Sequence, residues 1–111
     1  MTIRSIVRDM QTELSRSDLQ PTRAAELLLH ATALIGNCAQ EVREADFQYA
    51  KVLVAHLDGE DAANRARIRS ETTPEYLRKR EARDTKELVV EMIRSLKYFL
   101  KTAEEEMRLT R

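Results

Sequence analysis

The chain has no tryptophan, one cysteine, two glycines, two prolines and no net charge. Each scarcity excludes something. A lone Cys38 forms no internal disulfide, which fits a reducing compartment. Cys38, His30 and His56 are the only thiol and imidazoles, too few for the four ligands of a structural zinc site. Di-iron bundles take Glu-x-x-His from two helices, whereas Glu26 and His30 lie four apart and the pairing does not recur. There is no glycine-rich phosphate loop, no GxSxG turn and no Ser-His-Asp grouping. No cofactor or metal is therefore expected, and the chain reads as a non-enzyme. A catalytic site would have to be assembled from Cys38 or His56 across a dimer. Both fit better as a small buried hydrophobe and as an imidazole near a helix end.

Long apolar runs are also missing. The most apolar stretch, Leu27 to Ile35, is interrupted by His30 and Thr32 and falls short of the roughly 20 residues a membrane span needs. The opening MTIRSIVRDMQTEL mixes charged and apolar residues, unlike a signal peptide. The expectation is a soluble, cytoplasmic protein with no membrane partner.

What the sequence does contain is charge, 34% of its 111 residues, in a composition suited to long helices. Its length suits a single helical domain spanning 1–111. Ile3, Ile6, Val7, Met10 and Leu14 recur at helical spacing behind Thr2, a suitable N-cap. Pro21 suits the first turn of a second helix. Along that helix Leu28, Ala31, Ile35, Cys38, Val42, Ala45, Tyr49, Val52 and His56 form a heptad seam. Gly36 lies beside the seam, inside the helix or at a close helix crossing, and Gly59 is placed to end the helix in the left-handed conformation. A weaker helix follows from about Asp61 to Glu71, with alanines and Ile68 as its apolar content.

At ETTPE, Pro74 forces a kink or a restart, and Thr72 with Glu75 has capping-box spacing. The last helix carries Ala82, Lys86, Val89, Ile93, Leu96, Leu100, Ala103 and Met107, widened by Leu88, Met92 and Phe99. The stretches from Pro21 to Leu57 and from Pro74 to Thr110 match in length, about 55 Å each at 1.5 Å per residue. The expected fold is all-α: a long antiparallel, coiled-coil-like helical hairpin with a short N-terminal helix and a break near Thr72 to Pro74. The wide last stripe asks for a further partner, such as a second copy of the chain.

One stretch strains against the neutral total. Between Ala62 and Lys86 there are eight bases against four acids. Arg65, Arg67, Arg69, Arg78, Lys79, Arg80 and Arg83 are the candidate contacts to a partner or to nucleic acid. Arg65 and Arg69, like Lys79 and Arg83, share a helix face and could follow phosphates. Against this stand Glu71, Glu75, Glu81 and Asp84, available for pairing, and a single aromatic, Tyr76, for stacking on bases. The acidic run Glu104, Glu105 and Glu106 reads as a solvated face.

The segments FQYAKVLVAHLDGEDAANRARIRSET and LVVEMIRSLKYFLKTAEEEMR cover much of the last two thirds of the chain. There the chain resembles small helical-hairpin proteins of unknown function from tailed phages and prophages, often encoded near recombination genes. Pro74 and the N-terminal extension depart from that pattern. The resemblance implies a non-catalytic phage accessory protein in the host cytoplasm, acting on a host or phage protein. The alternatives are a nucleic-acid-binding recombination accessory using Arg65 to Lys86, or an inhibitor of a host defence complex.

Overall fold

A computed structural model describes residues 2–59 and 62–110. It is all-α, with four helices and no strand among the described residues: α1 (Ile3–Leu14), α2 (Pro21–Asp58), α3 (Ala63–Ser70) and α4 (Pro74–Leu109). The two long helices are those of a helical hairpin. No helix among the described residues is long and apolar enough to cross a membrane. Contacts gather in two compact units, one of residues 1–37 and 87–111, the other of residues 38–86.

In the first unit, α1 starts at Thr2, whose hydroxyl accepts from the Ser5 N–H. Val7 and Met10 of α1 are buried, as are Ala24, Leu27, Ala31 and Leu34 of α2 and Val89, Met92 and Leu96 of α4. The spacing on α2 is the expected one and Ala31 is buried as expected, but the buried leucines are Leu27 and Leu34, one residue before Leu28 and Ile35, which are half-buried. The unit holds a third helix, so α2 turns a broader face inward than a two-helix seam would. On α4, Leu88 and Met107 were expected within the stripe and stand exposed instead.

Arg23 joins the beginning of α2 to the end of α1. Its Nε and Nη2 donate to the two carboxylate oxygens of Glu13, the latter at 2.9 Å, and its Nη1 donates to Glu26 at 2.9 Å. This two-point arrangement fits a planar guanidinium, which a lysine could not reproduce. It also crosses the turn left by SRSDLQ, tying the end of α1 to the start of α2.

In the second unit, Cys38, Ala45 and Tyr49 of α2, Ala66 and Ser70 of α3 and Thr85 of α4 are buried. Here α3 turns its small residues Ala66 and Ser70 inward and leaves Ile68, its largest apolar side chain, exposed. A helix of eight residues is not stable alone, and Ala66 and Ser70 let its backbone lie close to its support. Asp61, the expected start of this helix, lies outside the described residues.

The break at residues 71–73 is a restart, with Pro74 as the first residue of α4. Thr73 caps it: its hydroxyl accepts from the Tyr76 N–H at 3.4 Å and donates to the Ser70 carbonyl at 2.6 Å. Thr72 instead donates to the Arg69 carbonyl at 2.7 Å. The capping-box assignment to Thr72 is therefore displaced by one residue. The fixed φ of proline places Pro74 at the first helical position, and the cap must precede it.

Gly36 lies inside α2 and the helix ends just before Gly59, as the sequence implied, but neither glycine has the special role suggested for it. The backbone of Gly59 is not in the left-handed region, and its N–H donates to the Ala55 carbonyl at 3.1 Å, continuing the helical pattern to its end. A Cβ placed on Gly36 would meet nothing within 4 Å, so this position faces open space and no helix crossing.

Two outcomes follow. Gly36→Ala is expected to raise stability by about 1 kcal/mol, since it adds helix propensity without a clash; urea unfolding followed by circular dichroism measures this. Hydrogen bonding and charge from Arg23 hold the Glu13 carboxyl below its usual range. A carboxyl lowered in the folded state contributes stability that is present above its unfolded value and lost as pH falls through its folded value. Glu13→Gln should therefore flatten the acid limb of the Tm-against-pH curve while leaving its neutral-to-alkaline shape unchanged.

Candidate functional site

The basic residues singled out by the sequence all lie in the second unit, on two separate helices. Arg65, Arg67 and Arg69 are exposed on α3; Arg78, Lys79, Arg80 and Arg83 occupy the beginning of α4. The Arg78 guanidinium lies 3.6 Å from carboxylate oxygens of both Glu41 and Glu44 on α2. Arg83 donates to Asp46 at 3.1 Å. The other oxygen of Asp46, Oδ1, is buried and has no hydrogen-bond partner among the described residues. Lys79 sets its ammonium 4.4 Å from the centre of the Tyr49 ring, a cation–π contact.

Three of the four α4 bases thus face α2. The acids that receive them come from α2, some 30 to 40 positions earlier in the chain, so a count along Ala62 to Lys86 alone leaves them out. Over the whole unit, Cys38 to Lys86, bases and acids number ten each. The local excess is neutralised by the fold. Arg65, Arg67 and Arg80 remain exposed and make no ion pair with a described residue.

The aromatic available for stacking is also engaged. Tyr76 sits with its ring centre 5.4 Å from that of Tyr49, the planes tilted by 47°. Tyr49 is buried, and burial, with lesser help from Glu71 and Tyr76, pushes its phenol pKa up. The Tyr76, Tyr49 and Lys79 stack is thus an internal brace between α2 and α4.

A polar contact that periodicity did not reveal holds α3. The Ser70 hydroxyl donates to the Ala66 carbonyl at 2.7 Å and lies 3.0 Å from His56 Nδ1. Its single proton is committed to the carbonyl, so the imidazole N–H donates to the serine oxygen. A serine without exposure, its proton already given to a main-chain carbonyl, is not a nucleophile. Cys38 is equally unsuited. Burial, with the nearby Glu41, raises its thiol pKa, and the protonated thiol does not attack. Among the described residues no group of His, Cys, Asp and Glu side chains is arranged to hold a metal ion.

The first unit carries a different kind of feature. Leu14, Leu19, Pro21, Leu96, Phe99 and Ala103 wall an open cleft of about 530 Å³, with Tyr98 and Glu106 also on its lining. Tyr98 is 74% exposed. The seam reading placed Phe99 and Ala103 on the inner stripe but did not anticipate that the α1–α2 corner would leave a gap over them. No known protein family, curated protein or solved structure matches the chain.

The His56 contact carries its own expectation. Ser70→Ala leaves a half-buried N–H without its acceptor and should cost about 1 to 2 kcal/mol, read from urea unfolding. Asn at the same position, too large for a site without exposure, should cost more.

Proposed function

We propose that the protein is a non-catalytic helical interaction module whose partner is another protein, with the later part of α4 as the contacting element. One observation carries the reading: the last helix leaves an apolar cleft of about 530 Å³ open beside an exposed Tyr98, while Arg78 and Arg83 of the basic stretch are paired with acids of α2. A cleft of this size, walled by aliphatic and aromatic side chains, suits an apolar anchor residue from a partner. The resemblance to phage and prophage hairpin proteins supports an accessory role in a host cytoplasm, on a host or phage protein.

The second reading is nucleic-acid binding through the exposed Arg65, Arg67 and Arg80. Its support is that these three make no ion pair with a described residue. It is the weaker of the two. Three isolated guanidiniums on a unit of zero net charge offer few phosphate contacts, and Tyr76 is already packed on Tyr49.

The two readings separate in one pair of experiments. Fluorescence anisotropy with labelled single-stranded and duplex oligonucleotides at low and moderate salt should give no saturable binding. A photo-crosslinking residue at Tyr98 should yield a discrete protein adduct in host cells, and the same residue at Arg80 should not. Salt-sensitive oligonucleotide binding lost in Arg65→Glu, Arg67→Glu, Arg80→Glu would replace the first reading by the second. Adducts at Arg80 alone would move the contact surface off α4's later half.

A further inference from the structure

The outward face of α2 in the second unit carries apolar side chains that the fold does not use. Ala45 and Tyr49 mark the inward face. On the other side, Phe47 and Val54 lie seven apart with Leu57 beside them, 59%, 53% and 43% exposed. Phe47, Ala50, Lys51, Val54, Ala55 and Asp58 line a shallow depression of about 410 Å³. A phenylalanine and two aliphatics open to water within four helical turns mark an association surface.

Two charges lie within that surface, seven residues apart and opposite in sign. The Lys51 ammonium sits 4.7 Å from the centre of the Phe47 ring, so its charge is held over the apolar face. Asp58 is the last residue of α2, where a carboxylate opposes the negative end of the helix dipole. It makes no ion pair with a described residue. The face thus has a positive end and a negative end on either side of Val54 and Ala55, and a complementary surface must present the same pattern reversed.

A second copy of the chain, turned end for end, presents that pattern. We propose that the Phe47 to Asp58 face is a homodimer interface in which two α2 helices pack antiparallel about a two-fold axis passing between Val54 and Ala55. Such an axis sets Lys51 opposite Asp58 of the partner subunit, and Asp58 opposite Lys51 of the partner subunit. Val54 packs on the partner's Ala55 at the centre, and Phe47 lies at the rim, past the last turn of the partner's helix. The parallel, in-register alternative sets lysine against lysine and aspartate against aspartate, so the charges choose the direction. The helices overlap only from Lys51 to Asp58, about 12 Å at 1.5 Å per residue, and the area falls at the low end for protein interfaces. The dimer is therefore dissociable and concentration-dependent. It is independent of the partner reading above, because it uses a different unit and a different helix.

Sedimentation equilibrium of the full chain from about 10 µM to about 1 mM tests this, with circular dichroism confirming that each variant folds. Wild type should move from monomer to dimer across the range. Lys51→Glu and Asp58→Lys should each weaken dimerisation at least about tenfold, and the two together should restore it, since the swapped charges again meet their opposites. Val54→Glu should remain a monomer. A wild type that stays monomeric throughout overturns the proposal and leaves the face to a different protein. Single variants that weaken association without rescue in the double variant overturn the antiparallel register. Should a charge variant fail to fold, Val54→Cys in a Cys38→Ala background gives a second reading: oxidation should link two copies near the axis, and a chain that stays unlinked at dimer-forming concentration overturns the arrangement.

Discussion

Everything in this protein depends on helices lying close enough for small side chains to interleave with larger ones in each core. Ala24, Ala31, Ala45, Ala66, Cys38 and Ser70 are buried almost completely. Residues this small contribute little transfer free energy each. They compensate by letting backbones approach, so that larger side chains among them, such as Leu27, Leu96, Val7 and Val89, are fully covered. Long helices follow from this: a thin core must be extended to be sufficient. In a chain without tryptophan and with few aromatics, enlarging one of these small positions would push a whole helix outward, a cost of the overpacking kind.

The sequence discloses the fold well because helical period and proline position are local properties. Its errors are places where two local rules compete or where a third element intervenes. At ETTPE, capping-box spacing favours Thr72, while a proline that prefers the first helical position favours Thr73. The proline prevails because its φ is covalently fixed, whereas a cap is worth only about 1 kcal/mol. On α2, the displacement from Leu28 and Ile35 towards Leu27 and Leu34 reflects the third helix of that unit, which no pattern within α2 encodes. Ile68 pointed outward for a related reason: close approach, which Ala66 and Ser70 permit, was worth more to α3 than the burial of one large side chain.

The candidate basic site was legible as a list and illegible as a surface. Charge counted along the chain assigns each arginine to its sequence neighbours, whereas Arg78 and Arg83 answer to Glu41, Glu44 and Asp46 on another helix. The exposed ion pairs are each of small energetic worth. Their larger effect is to cancel the local field, which decides how the unit is seen by a polyanion. The apolar faces were missed in the opposite sense. Phe47 and Val54 fall off the α2 seam, and a seam analysis discards what lies off the seam.

The His56 and Ser70 contact has a consequence for the life of the protein in a cell. α3 has no side-chain cap at Ala62, is eight residues long, and is held by two small side chains and one imidazole. So short a helix depends on its packing to stay wound, and its loss would be a local opening rather than global unfolding. It also carries Arg65, Arg67 and Arg69 within five residues. An enzyme that cuts after arginine would find its substrate there first, and one cleavage would divide the chain between its two long helices. Ser70 beside His56 thus helps to keep the three arginines in a helix, the conformation in which such an enzyme does not accept them.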